Sequence, residues 1–288
     1  MKVCLVTGGM GFIGSNFIRY LFDSNLDFKV INIDKLTYAG NPENLKAIEE
    51  KHPNQYKFYK MDICDFKAVD EIILKNDVDY IINFAAESHV DRSIINPSLF
   101  CDTNIMGTLS LLNSAKKNNV CKYIQISTDE VYGSLNFDDA SFTENHQLAP
   151  NSPYSASKAS ADLLVRSYYK SFNLPVNITR CSNNYGPYQF PEKLIPLMIN
   201  NALMNKSLPV YGKGLNVRDW LHVSDHCKAI VKVLLEGKIG EIYNIGGDSE
   251  IPNIELVEKL LKILDKPKSL ITFVKDRPGH DLRYSMNR

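Results

Sequence analysis

The sequence has few of the features that mark metal-binding, disulfide-rich or secreted proteins. Its cysteines are scattered without close pairs, which excludes the usual zinc spacings and argues against a disulfide framework. We therefore expect no metal site and buried free thiols at Cys4, Cys64, Cys101, Cys121, Cys181 and Cys227. The first residues already read as a strand instead of a signal peptide, so the expected location is the cytoplasm.

An excess of one charge and long apolar runs are also missing. The 33 Lys and Arg residues balance 33 Asp and Glu residues, so the formal net charge is zero. This balance provides no sequence-wide basic field for nucleic acid. Because no apolar run approaches the ~20 residues that cross a bilayer, we expect no membrane partner either. The hydrophobic fraction of 44% is enough for a sizeable core.

The stretch from Val3 to Ser15 is the most informative part of the chain. Apolar and β-branched residues lead into Gly8, Gly11 and Gly14, and a helix-like run follows at once. Such a strand, turn and helix N-terminus is typical of a pyrophosphate site. The first glycine would allow the turn, the second a close ligand approach, and the third close helix packing. A glycine turn without a ligand is the alternative.

The second apolar run supports the ligand-binding interpretation. It ends at Asp34, which lies 20 residues after Gly14. Dinucleotide sites place an acidic residue at this distance, where it binds the ribose hydroxyls. Because the carboxylate would repel the 2′-phosphate of NADP, the sequence predicts NAD as the cofactor.

Strand-like and helix-like segments alternate along the chain. Predicted strands cover Lys2–Thr7, Lys29–Asp34, Tyr56–Met61, Tyr80–Phe84, Tyr123–Ser127 and Val176–Arg180. Predicted helices cover Ile13–Phe22, Phe66–Lys75, Thr103–Asn118 and Ser155–Phe172. This order predicts an α/β fold with a doubly wound parallel sheet of the Rossmann type.

Prolines interrupt this alternation in the second half of the chain. We expect an NAD-binding domain at residues 1–181, to which a helix and strand within 219–246 return. Residues 182–218 and 247–288 are expected to form a smaller, mixed and discontinuous domain that binds the substrate.

Ligand-binding residues of such a sheet gather at the carboxyl ends of its strands. Small or polar residues do follow the predicted strands: Asp62 and Ile63, Ala85 to Ser88, Thr128 to Glu130, and Asn183 with Asn184. A turn-forming role for Asp62, and surface positions for Glu87 and His89, are the structural alternatives.

Tyr154 and Lys158 stand at positions i and i+4 of a predicted helix, which places both on one face. A nearby ammonium would lower the pKa of a tyrosine, which is otherwise about 10, and make it a usable base. Lys158 could also hydrogen-bond the nicotinamide ribose. The alternative is a solvated helix face, but the dinucleotide pattern upstream argues against it.

Together, the glycine turn, Thr128 and the Tyr154–Lys158 pair resemble the extended short-chain dehydrogenase/reductase family, whose members act on nucleotide sugars. Five longer runs are similar to the nucleotide-sugar 4,6-dehydratases of that family. They are Asn83–Ser93, Ser127–Gly133, Asn183–Leu194, Arg218–Trp220 and Asp276–Asp281.

The resemblance implies NAD-dependent dehydration of a dTDP-hexose, with dTDP-glucose as the first candidate. Tyr154 would take the C4 hydroxyl proton while hydride passes from C4 to NAD, with Thr128 hydrogen-bonded to the C4 oxygen. Glu130 would then remove the C5 proton and Asp129 would protonate the departing C6 hydroxyl, after which the hydride returns to C6. The acidic pair at 129 and 130 distinguishes this reaction from simple epimerisation at C4.

Ligand-binding positions also follow from the resemblance. For NAD they are Gly8, Gly11, Phe12, Ile13, Gly14, Asp34, Lys35, Thr37, Asp62, Ile63, Ala85, Ala86, Ser88, Thr103, Tyr154, Lys158 and Asn184. For the nucleotide sugar they are Ser88, Thr128, Asn183, Lys193, Leu194, Pro209, Val210, Tyr211, Arg218, Asn253, Arg277 and His280.

Three further expectations complete this interpretation. By resemblance, a homodimer should form through the helices Thr103–Asn118 and Ala156–Phe172, and a further helical segment should follow Arg288. A UDP-sugar epimerase, decarboxylase or dehydratase of the same fold is the nearest alternative function. A non-catalytic NAD-binding scaffold is the alternative from another class.

Overall fold

The protein alternates strands and helices over most of its length, and the computed structural model describes residues 1–24 and 26–287. The strands are β1 (Lys2–Thr7), β2 (Phe28–Asp34), β3 (Tyr56–Lys60), β4 (Tyr80–Asn83), β5 (Lys122–Thr128), β6 (Val176–Cys181), β7 (Asn183–Tyr185), β8 (Leu208–Tyr211), β9 (Val217–His222), β10 (Ile242–Ile245), β11 (Glu250–Pro252) and β12 (Ile271–Val274). The helices are α1 (Phe12–Asp23), α2 (Lys46–Lys51), α3 (Phe66–Lys75), α4 (Val90–Ile95), α5 (Pro97–Phe100), α6 (Gly107–Lys117), α7 (Pro153–Phe172), α8 (Leu194–Leu203), α9 (Val223–Glu236) and α10 (Asn253–Ile263).

Seven strands form one sheet in the order β10-β6-β5-β4-β1-β2-β3, and all neighbouring strands are parallel. The predicted doubly wound α/β fold is therefore confirmed. The six predicted strands are all present, with ends that differ from the prediction by one residue at most. Every residue of the central β5 is buried, as expected of a strand that helices cover on both faces.

Helices cover both faces of this sheet. One face packs α1 and α9 onto apolar residues of the central strands, including Val6, Val30 and Ile124. The other face packs α3, α6 and α7 onto residues such as Leu5 and Ile81. These two cores hold the parallel strands in place, so the residues just beyond their carboxyl ends lie at one edge of the sheet.

The segment after residue 222 returns to the large sheet, as expected. The strand β10 pairs with β6, and Lys122 of β5 donates hydrogen bonds to the carbonyls of Val233, Leu234 and Gly237 at the end of α9. The start of the predicted returning range is wrong, however. Asp219 to His222 belong to β9, which lies in a separate sheet with β7 and β11.

A smaller body follows β6. It contains the three-stranded sheet β11-β9-β7, the two-stranded sheet β12-β8, and the helices α8 and α10. Its apolar core includes Met198, Leu208, Val210, Val257 and Leu261. None of these strands was predicted. Four of them, β7, β8, β11 and β12, have only three or four residues and carry too little periodicity to be recognised. The fifth, β9, has six residues, and the prediction placed part of it in the returning segment.

Two other expectations differ from the structure. The predicted helix Thr103–Asn118 begins with a π-helical turn at Cys101–Met106, before α6. Cys64, Cys101 and Cys121 are exposed, so only three of the six cysteines are buried. All six are free thiols.

Asn25 and Arg288, which fall within the predicted domain ranges, lie outside the described residues. In the described part of the chain, no helix is long and apolar enough to cross a membrane.

Candidate active site

A cavity of about 350 Å³ lies at the carboxyl ends of β1 to β6, within the usual size range of small-molecule sites, ~300–1,000 Å³. All the residues predicted to bind NAD line it, from the glycine turn to Asn184. Five of the predicted substrate residues line it as well: Ser88, Thr128, Asn183, Lys193 and Leu194.

The glycine turn fits a pyrophosphate. Gly8 has a φ of +69°, and a Cβ there would lie 2.7 Å from the backbone nitrogen of Ala85. A Cβ on Gly14 would lie 2.4 Å from the Gly8 oxygen, so close helix packing requires glycine there too. A Cβ on Gly11 would meet only this oxygen, at 3.3 Å, among the described atoms. Because no side chain caps α1, its first N–H groups can bind an anion.

Asp34 ties the end of β2 to this turn. Its carboxylate accepts hydrogen bonds from the backbone N–H groups of Met10 at 2.9 Å and Leu36 at 2.8 Å. Burial raises the pKa of this carboxyl, and the two donors oppose the shift. Each carboxylate oxygen can accept a further hydrogen bond, which leaves room for ribose hydroxyls.

The far end of the cavity contains Lys35 and Asp62, whose charged groups lie 2.6 Å apart. Burial alone would raise the pKa of Asp62, but the Lys35 ammonium and the Cys64 N–H hold it below its usual value. This ion pair lines the cavity together with Ile63, Thr37 and Thr103, and all five residues are predicted NAD-binding positions.

Asn104 of the π-helical turn connects the loop after β4 to helix α7. It accepts a hydrogen bond from the Glu87 N–H at 2.9 Å and donates to the Glu87 carbonyl at 3.0 Å. Its amide also donates to Ser157 at 2.8 Å, and Ser157 donates to the carbonyl of Tyr154. Glu87 is buried and lines the cavity. The alternative interpretation, in which it is a surface loop residue, is wrong.

Tyr154 and Lys158 both line the cavity from α7 and are buried. The predicted lowering of the Tyr154 pKa is wrong. Burial and the charges of Glu130, Cys181 and Asp129 raise the pKa of Tyr154 well above its usual value. The Lys158 ammonium instead donates to the Ile126 carbonyl at 2.6 Å, and burial lowers its pKa.

Asp129 and Glu130 follow β5 in a short 3-10 turn, Asp129–Tyr132. Burial and the neighbouring Glu130 raise the pKa of Asp129 well above its usual range, despite the opposing charge of Arg218. One Asp129 oxygen lies 3.2 Å from the Thr128 hydroxyl, while the other is buried with no hydrogen-bond partner among the described residues. Glu130 lines the cavity, whereas its neighbour Asp129 does not.

Burial also raises the pKa of Glu130, but three cations oppose this shift. They are Arg277, Arg218 and Lys193. The two neighbouring carboxyls therefore differ in environment: Asp129 favours its protonated form more strongly, whereas Glu130 faces positive charge. Such a difference is what an acid and a base at adjacent positions require.

The remaining predicted substrate residues gather beside the cavity and do not line it. They are Pro209, Val210, Tyr211, Arg218, Asn253, Arg277 and His280. Asp91 of α4 joins two of them, since it accepts from the Tyr211 hydroxyl at 3.1 Å and from Arg277 at 3.4 Å. The Val210 side chain packs in the core of the smaller body, which leaves only its backbone for a ligand.

Two buried polar atoms in this second cluster have no partner in the described part of the chain. They are Oδ1 of Asn253 and Nε of Arg277. Buried polar atoms are rarely left unpaired in folded proteins, so these atoms are available for ligand hydrogen bonds. Arg218, by contrast, already donates to the carbonyls of Val217 and Asp281.

Sequence reasoning missed several residues at the cavity mouth. Arg92 lies 3.6 Å above the Tyr38 ring and donates to Glu192 at 3.1 Å. Phe190 packs its ring edge against Tyr38 at 5.4 Å. Phe190 and Glu192 belong to the run Asn183–Leu194, whose resemblance to the dehydratases could have identified them, whereas Tyr38 carried no comparable signal.

Comparison with known proteins identifies the chain's relatives. The family model described as GDP-mannose 4,6 dehydratase matches residues 5–287. The dTDP-glucose 4,6-dehydratase 1 of Escherichia coli K12 is 50% identical over 100% of this chain and 85% of that protein. The low-salt glycan biosynthesis protein Agl12 of Haloferax volcanii is 52% identical over 98% of this chain and 89% of its own length.

A solved structure has nearly the same fold. The dTDP-glucose 4,6-dehydratase DesIV from Streptomyces venezuelae, solved with NAD and a second ligand bound, superimposes with a TM-score of 0.95. It is 49% identical, and the match covers 99% of this chain and 88% of that one.

Replacing Asp129 by Asn should stabilise the ligand-free protein, and increasingly so as the pH rises. Burial and the neighbouring Glu130 raise the pKa of this carboxyl in the folded protein. The unfolded chain ionises it at about pH 4, so stability falls as the pH rises above that value. The uncharged amide avoids this loss, and we expect a gain of about 1–3 kcal/mol at about pH 8 that disappears at about pH 4. Urea unfolding at both pH values measures the gain.

The exposed Asp138→Asn variant is the control for this prediction, because it removes a carboxyl from the surface. It should change stability little at either pH. An Asp129→Asn gain of equal size at both pH values would contradict the raised pKa of this carboxyl.

Proposed function

The chain belongs to the family described as GDP-mannose 4,6 dehydratase, within the extended short-chain dehydrogenases/reductases, and we propose that it is an NAD-dependent dTDP-glucose 4,6-dehydratase. The reaction oxidises C4 of the sugar, eliminates water across C5 and C6, and reduces C6. The product is dTDP-4-keto-6-deoxyglucose, a substrate class that deoxysugar biosynthesis uses.

The observation that carries this proposal is the acid pair beside Tyr154. A dehydratase needs a base for the C5 proton and an acid for the C6 hydroxyl, in addition to the base that serves C4. Asp129 and Glu130 adjoin the cavity that Tyr154 lines, and their charges act on the tyrosine. Their different environments support the division of roles between an acid and a base.

The first step is oxidation at C4. NAD, held by the residues that line this cavity, would supply the hydride acceptor and, in its oxidised form, a positive charge that favours the Tyr154 phenolate. Tyr154 takes the proton of the C4 hydroxyl, and Thr128 donates a hydrogen bond to the C4 oxygen. Lys158 holds the ribose from the same helix face.

Elimination follows because the C4 carbonyl acidifies the proton on C5. Glu130 accepts that proton, and the cations around it favour its ionised, basic form. Asp129 donates its proton to the departing C6 hydroxyl, which leaves as water. With NAD bound, a hydride returned to C6 and a proton returned from Glu130 to C5 would complete the product and leave the cofactor oxidised. The proton that Tyr154 took from C4 would replace the one that Asp129 gave to the water.

The same acid pair argues against the alternatives. Epimerisation at C4 needs hydride transfer and one base, and has no use for a second acid and base. A non-catalytic scaffold would gain nothing from a buried carboxyl oxygen without a partner, because burying such an atom costs stability. A UDP-sugar dehydratase is the nearest alternative, and its substrate differs in the base and in the 2′-hydroxyl of the nucleotide.

We assign the nucleotide end of the substrate to the second cluster. The guanidinium groups of Arg218 and Arg277 are suited to a diphosphate. Tyr211, whose ring edge lies 5.9 Å from His280, offers a face on which a pyrimidine can stack. This assignment fits the predicted division into two domains. The NAD-binding domain would comprise residues 1–181 and the returning segment, predicted as 219–246, which starts at α9 in the structure. The rest of the chain would form the smaller substrate domain.

A homodimer is the assembly that we propose. The helices α6 and α7 pack side by side. Met106, at the end of the π-helical turn before α6, is 52% exposed, and Leu163 and Phe172 of α7 are 58% and 50% exposed. Burying these apolar side chains against a second copy would remove them from water. We place the enzyme in the cytoplasm, where its six free thiols would stay reduced.

With NAD added, the protein should convert dTDP-glucose to a 4-keto-6-deoxy product, detected by its absorbance in alkali. UDP-glucose and UDP-N-acetylglucosamine, assayed in parallel, should react at least ~10-fold more slowly, because the nucleotide pocket is expected to select the base. Turnover of a UDP-sugar alone would favour the UDP-sugar dehydratase. NAD binding without turnover of any of the three would favour the scaffold.

Glu130→Gln should separate the two halves of the reaction. The amide cannot accept the C5 proton, so exchange of the C5 proton with deuterated water should fall at least ~100-fold, the lower range of general-base contributions. NAD binding should be unchanged, and reduced nicotinamide should accumulate when dTDP-glucose is added. Undiminished C5 exchange would contradict the role of Glu130.

The dimer proposal predicts that the wild-type protein sediments at twice the chain mass. Leu163→Glu should shift it to the chain mass, because a charge in the centre of an apolar interface is costly. Leu74→Glu, at a similarly exposed position on α3, is the matched control and should not change the mass. A wild-type protein that sediments as a monomer would contradict the proposal.

A further inference from the structure

The structure contains a buried ion pair that takes no part in the chemistry above. The guanidinium of Arg180, on β6, donates to the Asp162 carboxylate, on α7, at 2.9 Å. Their side chains are only 3% and 1% exposed. Such a pair gains little stability over apolar packing, because burying both charges is costly. Its location suggests a different reason for its presence.

Asp162 lies on the catalytic face of α7. Tyr154, Lys158 and Asp162 stand at i, i+4 and i+8, so they follow one another along the helix. The Asp162 charge favours the ammonium form of Lys158 and opposes the effect of its burial. Any contact that fixes Asp162 therefore fixes the helix that carries the tyrosine and the lysine.

Arg180, on β6, links this helix to the turn that carries the acid pair. Besides the bond to Asp162, its guanidinium donates to the Tyr132 hydroxyl at 2.9 Å and lies 4.8 Å from that ring's centre. Tyr132 ends the short turn that begins with Asp129 and Glu130. The Tyr132 hydroxyl in turn donates to Asn244 of β10 at 2.8 Å.

We propose that Arg180 is a positioning residue that holds the acid pair at a fixed distance from Tyr154 by binding Asp162 and Tyr132 at once. The proposal rests on the function proposed above. Oxidation at C4 and elimination at C5 and C6 happen on one sugar ring, so their acids and bases must share one geometry. A misplacement of ~1 Å is enough to slow such a step ~100-fold.

Tyr132→Phe tests this link with the loss of a single hydroxyl. The ring itself should stay in place, because it stacks on Phe142 with the ring centres 4.9 Å apart. We expect overall turnover to fall ~10-fold or more, while the KM for dTDP-glucose and the affinity for NAD stay within about twofold. Reduced nicotinamide should accumulate and C5 exchange should slow, because only the elimination step has lost its geometry.

Tyr168→Phe is the matched control. It removes another partly buried hydroxyl from the same region, one that donates to Asn113 at 2.6 Å and so joins α7 to α6. Its loss leaves Arg180 and the acid pair untouched. This variant should turn over dTDP-glucose at the wild-type rate and accumulate no reduced nicotinamide.

A second variant removes both charges of the ion pair. Replacing Asp162 by Leu and Arg180 by Met together leaves neither partner of the pair as a lone buried charge, so the protein should still fold. Its unfolding transition should resemble the wild type, while C5 exchange falls as in Tyr132→Phe. Wild-type turnover and C5 exchange in both variants would overturn the inference. If the wild-type protein itself does not dehydrate dTDP-glucose, the proposed function fails instead.

Discussion

Parallel pairing of β1 to β6 brings six strand ends to one edge of the sheet, and the whole site depends on this constraint. Each strand contributes the residues directly beyond its carboxyl end: the glycine turn, Asp34, Asp62, the loop at Ala85, the acid pair and Asn183. These groups are far apart in sequence, yet parallel strands place them within one cavity. The two cores on either face hold the strands rigidly enough for such a site to be pre-organised.

Burial has opposite consequences for different members of this site. It raises the pKa of Asp129 and that of Tyr154 and lowers the pKa of Lys158, so it disfavours the charged form of each group. The smaller body contributes the opposing charge, because Arg277 and Lys193 face Glu130. The acid–base character of the site therefore arises from both parts of the chain.

The fold could be predicted closely from the sequence, and the residues predicted to bind NAD all line one cavity. Gly8, Gly11, Gly14 and Asp34 are local signals, since a turn and the strand end after it need only short-range geometry. The predicted substrate residues are divided between the cavity and the cluster beside it. The sequence pattern did not reveal this division, nor the cavity-mouth contacts of Tyr38 with Arg92 and Phe190. Such contacts join segments that have no periodic relation to one another.

The sequence by itself determined the parallel α/β architecture, the dinucleotide turn and the placement of Tyr154 and Lys158 on one helix face. These follow from period, spacing and residue type over a few turns of chain. Only the tertiary structure decided the direction in which the pKa values of Tyr154 and Lys158 shift. It alone also made the link from Asp162 through Arg180 to Tyr132. Burial and Coulomb interactions depend on which distant segments meet in a low-dielectric interior, and no local pattern encodes that.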